Sequence, residues 1–393
     1  MNSTPVTLVG RALRRSVRKA LSAAAPPGES GTHIDPATTP RPDPSSRGPV
    51  YAALLASPEM EAFRACLRAG TEDIRTSVLR ELATYHQVSE EEALKRCLHW
   101  EEISLQEWRA AEDATSAEGS PLDPAHDRSD DARVAFYRTM QSWSYDLLWY
   151  GYLQAEGFAD NATVMALRWL QQRAPGRRHL DFGAGVGLTS QLFISRGWTS
   201  TLADLSSTLL DFARWRLERH DVDAEYIDLG IDTLPAGAFD AITAIDTLAH
   251  VPDVYETAHQ LAESLTVGGY LIANFDIRAA EDITAWHVQA DELTARYDLL
   301  RAGFRVTDRL GYGLVAYQRI DVTGFAEIRR LTWLWLTLVS PFRTALRAVA
   351  HPALRAVRRS VATKTASAGD SRAASESIPA PRAASDAPSG VDR

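Results

Sequence analysis

The chain has 393 residues, 45% of them hydrophobic and 24% charged, with a formal net charge of −9 and two cysteines, Cys66 and Cys97. Its length allows one large domain with additions or two domains; two cysteines exclude a disulfide framework and a thiolate metal cluster, so no metal is expected and a reducing, cytoplasmic compartment fits. No stretch approaches about 18 uncharged apolar residues, so no spanning helix is expected, and the N-terminus has no apolar secretory region.

Charge is unevenly placed. Residues 1–25 hold Arg11, Arg14, Arg15, Arg18 and Lys19 and no acid, and residues 328–364 hold eight basic residues and no acid, so the remaining body is strongly acidic. An acidic body lacks the basic face that DNA or RNA requires, which argues against a nucleic-acid partner.

In chain order, Val6, Leu8, Val9, Leu13, Val17 and Leu21 give residues 1–25 an amphipathic helical pattern. The Pro-, Gly- and Ser-rich stretch up to residue 49 reads as a disordered linker. Residues 50–132 have a helical period and are expected to form a helical N-terminal domain. Ser57 before Pro58 marks one helix start. Ser89 with Glu92 is a capping box opening a second helix, and a third covers residues 104–114. His86 and His99 read as packed or solvated helical histidines, and an acidic, proline-containing break spans residues 117–131. Residues 133–174 are rich in rings: Phe136, Tyr137, Trp143, Tyr145, Trp149, Tyr150, Tyr152 and Phe158. Rings at helical spacing suit a core, and equally a lid whose polar edges orient a flat or apolar ligand; both readings stay open. A helix over Asn161–Arg173 leads into the first strand.

The stretch His179–Ser190, HLDFGAGVGLTS, organises the C-terminal half of the chain. A short apolar strand carries Asp181, glycines occupy positions 183, 185 and 187, and a helix begins near Leu188. Glycines at a strand-to-helix turn accept unusual φ values and let a ligand approach the backbone. A dinucleotide fingerprint needs its last glycine at position 188, where Leu188 stands. Strands then alternate with helices: Thr199–Asp204, Asp223–Leu229, Phe239–Asp246, Gly268–Phe275, one opening at Phe304, and Gly313–Arg319. This alternation predicts a parallel sheet covered on both faces, with ligands held beyond its carboxyl edge.

The turn resembles motif I of the class I S-adenosylmethionine (SAM) dependent methyltransferases, and the resemblance covers residues 175–320. It implies an α/β, Rossmann-like fold with a seven-stranded sheet whose last strand enters antiparallel, here with an N-terminal helical addition and basic, partly disordered flanks. SAM is the cofactor implied. Asp181, Gly183, Ala184, Gly185 and Gly187 would meet its methionine end, and Asp204 the ribose diol. Asp228 would meet the adenine amino group, with Leu205 and Leu229 against the ring. Asp246, His250 and Asp253 resemble the D-x-x-x-H-x-x-D run of motif IV.

Methyl transfer needs a general base only where the nucleophile keeps its proton at neutral pH; His250 and His287 are the candidates. No Asn-Pro-Pro-Tyr motif of amino-methylating enzymes comes after strand four, so the expected acceptor is a small, apolar or aromatic metabolite, with O-, N- and C-methylation all open. Two other readings stand beside this one: a SAM-binding protein without transferase activity, and an aminopropyl transferase, which would need a further acidic cluster. In residues 321–364, the run Leu331–Val339 carries Trp333 and Trp335 between arginines. That is the composition of a helix lying in a membrane interface, and it suggests peripheral contact with the inner membrane face; packing against the helical domain or a solubilising tail are the alternatives. Residues 365–393 read as disordered, and the oligomeric state is not legible.

Overall fold

The computed structural model describes residues 34–43, 48–117, 128–275, 288, 292–311 and 313–320. The basic segment 1–25, His287, the apolar run 331–339 and the tail 365–393 lie outside them. The chain divides into two units, Met1–Arg329 and Arg330–Arg393; all the described residues belong to the first. No described helix is long and apolar enough to cross a membrane.

Eight helices precede the sheet among the described residues: α1 (Pro49–Leu55), α2 (Pro58–Cys66), α3 (Ile74–His86), α4 (Glu90–Leu98), α5 (Trp100–Ala117), α6 (Arg128–Thr139), α7 (Ser142–Glu156) and α8 (Ala162–Arg173). Their starts obey local chemistry. Ser57 accepts from the amide of Met60, Ser89 from that of Glu92 and Asn161 from that of Val164, each satisfying an otherwise orphaned N–H. Asp73 caps α3 in the same way, through Thr76. The stretch 128–131, expected to belong to a break, is instead the first turn of α6.

The sheet elements come in alternation: β1 (Arg178–Phe182), α9 (Leu188–Ser195), β2 (Thr199–Asp204), α10 (Ser207–Arg219), β3 (Glu225–Asp228), β4 (Phe239–Ala244), α11 (Val254–Ser264), β5 (Leu265–Ala273), α12 (Glu292–Arg301), β6 (Phe304–Gly311) and β7 (Leu314–Arg319). The strand order is β3-β2-β1-β4-β5-β7-β6, and β7 runs antiparallel to both of its neighbours. The seven-stranded sheet and its antiparallel last strand are therefore as expected. Strand β5 begins earlier than the sequence suggests. Gly268 (φ +85°) and Gly269 form no turn before the strand but an irregularity within it, where the pairing with β4 jumps from Phe239↔Leu265 to Ala241↔Tyr270.

Two apolar layers enclose the sheet. On one face Leu261, Ala295 and Leu299 of α11 and α12 pack on Leu180, Ile242 and Leu271. On the other, Leu192, Phe193 and Phe212 join Leu67, Val78, Trp149 and Leu167 of the helical addition in one continuous cluster that reaches Ala241 and Ile272. The boundaries expected at 132 and 174 thus separate no independent bodies: the addition is a helical layer sharing the core of the sheet.

One polar knot lies inside that layer. Arg216 of α10, wholly buried, donates through Nε to Glu81 Oε2 of α3 (2.9 Å), through Nη1 to Gln191 Oε1 (2.7 Å) and through Nη2 to the Cys66 carbonyl. Burial raises the Glu81 carboxyl, but Arg216 and His220 outweigh it and hold the group below the usual carboxylate range. Most of the aromatic segment is also core: Phe136, Tyr145, Trp149 and Tyr152 are buried. His86 is packed, as expected: it stacks on Tyr145 at 4.4 Å, meets the Ser144 hydroxyl at 2.8 Å, and burial lowers its imidazole to about 4.

Candidate cofactor and active site

Strand order reverses between β1 and β4, and the functional side chains gather at the carboxyl ends around that point. The glycine turn joins β1 to α9. Gly183 has φ +75°, and a Cβ there would lie 2.4 Å from the Thr247 side chain. Leu147 of α7 closes over Gly185, 2.7 Å from where a Cβ would stand, so the helical addition roofs the turn. Gly183→Ala is expected to destabilise the fold by roughly 1–3 kcal/mol, read as a lower midpoint in denaturant unfolding; an unchanged midpoint would contradict this packing.

Most amides of the turn are already engaged. Gly183 and Ala184 donate to the Ala203 carbonyl (2.8 and 3.2 Å), Gly185 to Asp204 Oδ2 (2.9 Å), and Gly187 to the Ala184 carbonyl (2.9 Å). Such a turn is not a phosphate cradle, which presents its N–H groups outward. Around it stand carboxylates. Asp204 and Asp228 end neighbouring strands in register. Asp204 is buried and also accepts from the Ser206 amide (2.8 Å); burial raises its carboxyl, opposed by the backbone amides. Asp228 is held low by the Arg138 guanidinium, which donates to both its oxygens (3.0 and 3.1 Å). A site lined by carboxylates, with its amides spent internally, fits a cationic ligand such as SAM and repels a pyrophosphate.

Beneath the turn lies a closed ring of buried polar groups. Thr243 Oγ1 donates to Asp181 Oδ1 (3.1 Å), and Ser190 donates to Oδ2 through both its hydroxyl (3.0 Å) and its amide (3.1 Å). Ser200 meets the Ser190 hydroxyl (2.9 Å), and His179 closes the ring, Nδ1 to Ser200 (2.8 Å) and Nε2 to Thr243 (2.9 Å). Burial raises the Asp181 carboxyl to about 7, helped by the charge of Asp204, and lowers the His179 imidazole to about 3. The three hydroxyls and a neutral imidazole supply four protons for the five side-chain links. A fifth proton, carried on Asp181 Oδ1, turns the Thr243 link around, so that Asp181 donates to Thr243 and Thr243 to His179 Nε2, and every link forms at once. Both Asp181 oxygens are engaged beneath the turn, so the carboxyl supports the turn from below.

After β4 the backbone turns sharply at Asp246, a non-glycine residue with φ +53°. Asn274, at the end of β5, holds it there: its Oδ1 accepts from the Asp246 amide (2.7 Å) and its Nδ2 donates to Asp246 Oδ1. Backbone strain so clamped is characteristic of functional sites. His250 comes next, half-buried, its ring 5.6 Å from that of Trp143 and 6.5 Å from that of Tyr137. Leu205 and Leu229, partly buried, pack on the cores of opposite faces, and the Leu229 amide donates to the Asp204 carbonyl (2.9 Å).

A family model described as a methyltransferase domain matches residues 154–301. Over those residues the chain is similar to methyltransferase domains. Among curated proteins the chain is similar to a ubiquinone biosynthesis O-methyltransferase of Alkalilimnicola ehrlichii, 34% identical over 100 residues, which are 25% of this chain and 40% of that protein. Its counterpart in Coxiella burnetii is 33% identical over 109 residues, 27% of this chain and 47% of the relative. The chain spans less than half the length of these relatives. A SAM-dependent methyltransferase structure from Mesorhizobium loti aligns with 41% of this chain and 99% of its own at 20% identity, with a TM-score of 0.32.

Asp204 and Asp228 end neighbouring strands and Asp246 follows β4, all at the carboxyl edge of the sheet, with His250 beside Trp143 and Tyr137; His287 lies outside the described residues. Sequence reading missed Arg138, Asn274, Thr243 and His179. Asn274 carries the same strand-end signal as Asp204 and was findable. Arg138 lies 90 residues from Asp228 and gives no local sign.

Proposed function

We propose that this protein transfers a methyl group from SAM to a hydroxyl oxygen of a small, apolar or aromatic molecule. The observation that carries the reading is the carboxylate-lined edge around a glycine turn whose amides are internally spent, which suits a cationic ligand. SAM, when bound, supplies an electrophilic methyl group on a positively charged sulfur. In this reading Asp204, whose two oxygens also accept from the amides of Gly185 and Ser206, accepts from the ribose diol, Asp228 accepts from the adenine amino group, Leu205 and Leu229 give apolar walls, and the turn from Gly183 to Gly187 meets the methionine end. His250, beside Trp143 and Tyr137, is the general base an oxygen nucleophile requires, and the two rings give a flat acceptor an apolar surface. The relatives named as O-methyltransferases support oxygen as the methylated atom.

Calorimetric titration with SAM and S-adenosylhomocysteine tests the cofactor. Micromolar binding by the intact protein is expected, and its loss in a folded Asp204→Ala variant; absence of binding by the intact protein overturns the reading. Acceptor screening then begins with apolar hydroxyl compounds.

A further inference from the structure

We propose that Arg138 is a positioning residue for cofactor binding: it fastens the helical addition to Asp228 and must release that carboxylate before an adenine amino group can be accepted there. The inference rests on SAM being the cofactor. Arg138 lies in the last turn of α6, outside residues 154–301 that match the methyltransferase family, yet its guanidinium engages both oxygens of Asp228 in a two-pronged pair. Around the pair the chain is shaped to fit it. Gly230 donates its amide to Asp228 Oδ1 (2.8 Å), and a Cβ on Gly230 would stand 1.7 Å from Arg138 Nη1, so the guanidinium lies where a side chain at 230 would push it aside.

The backbone beside the arginine is held separately. The Ser207 hydroxyl donates to the Arg138 carbonyl (3.3 Å) and the Thr208 hydroxyl to the Met140 carbonyl (2.7 Å). The side chain can therefore swing away while the segment stays on the start of α10. Arg138 and Asp228 remain 32% and 18% exposed, and partly solvated pairs of this kind open at modest cost. A guanidinium is the stronger partner for a carboxylate than a neutral amino group, so Arg138 competes with the cofactor, and fork geometry rather than charge alone sets the competition.

The test is stopped-flow binding of SAM to the full chain and to Arg138→Gln and Arg138→Lys, with amide hydrogen exchange of residues 133–143 measured without ligand. Arg138→Gln is expected to bind SAM about tenfold faster and tighter, Arg138→Lys to fall between, and exchange in 133–143 to quicken in Arg138→Gln while the melting temperature barely moves. Unchanged or weaker SAM binding in Arg138→Gln overturns the proposal. If neither protein binds SAM, the cofactor reading fails; faster exchange in the variant then still supports the fastening of the helical addition, and unchanged exchange overturns that as well.

Discussion

Replacing Glu81 with alanine is expected to lower the unfolding free energy by about 3–5 kcal/mol, because it strands a wholly buried guanidinium without its counter-charge. The Gln191 side chain and the Cys66 carbonyl still accept from Arg216, but neither is charged. Removing both charges is a different experiment. Glu81→Leu combined with Arg216→Met leaves no ion to desolvate and should recover most of the loss. Guanidinium chloride unfolding of Glu81→Ala, Glu81→Leu, Arg216→Met and the double variant measures this directly. A single-variant loss under about 1 kcal/mol would mean that water reaches Arg216, contrary to its burial.

The ring beneath the glycine turn leads to a second large effect, in pH dependence. Asp181 is raised from an ordinary 3.8 to about 7, so the stability it contributes is complete below 3.8 and is lost as the pH climbs to 7. His179 is depressed from 6.5 to about 3, so its contribution is complete above 6.5 and is lost as the pH falls toward 3. Between about pH 4 and 6.5 the two slopes oppose each other. Over that window the unfolded chain holds its proton on His179 and the folded chain on Asp181, so folding moves a proton within the pair and takes up none. Single variants should break the balance. Asp181→Asn offers an amide where the neutral acid stood; relative to the native protein its stability should rise by about 1.4 kcal/mol per pH unit between pH 4 and 7. His179→Gln should show the opposite slope, about 1.4 kcal/mol lost per unit of rising pH between 3 and 6.5. Urea midpoints across this range decide it, and parallel curves for all three proteins would show that the ring holds no shared proton.

The placement of the candidate residues at the sheet's carboxyl edge was legible because its signals are local. Asp204 and Asp228 end strands and Asp246 follows one, the apolar runs and flanking helices of these strands are plain in the sequence, and the glycine turn is a contiguous string. What was hidden depends on long-range placement. The partners Arg138 and Asp228 lie 90 residues apart and Glu81 and Arg216 lie 135 apart, distances over which no periodicity carries information. The aromatic segment left core and lid both open since the same ring spacing serves either; burial of Phe136, Tyr145 and Trp149 decides for core, while Tyr137 and Trp143 at its edge face His250. At β5 the sequence suggests a strand starting at Gly268, and only the pairing with β4 shows that it starts at Leu265 with an irregularity at the two glycines.

The separation of Glu81 from Arg216 also bears on the order of events during synthesis. At 5–20 residues per second, the 135 residues between them take roughly 7–27 s to emerge from the ribosome. Throughout that interval α3 carries a carboxylate whose cationic partner has not yet been made, on a face destined for the interior. Helices α1 to α8 are translated before the sheet, and the apolar cluster they share is completed only when α9 and α10 arrive, so this layer depends on the later half of the chain.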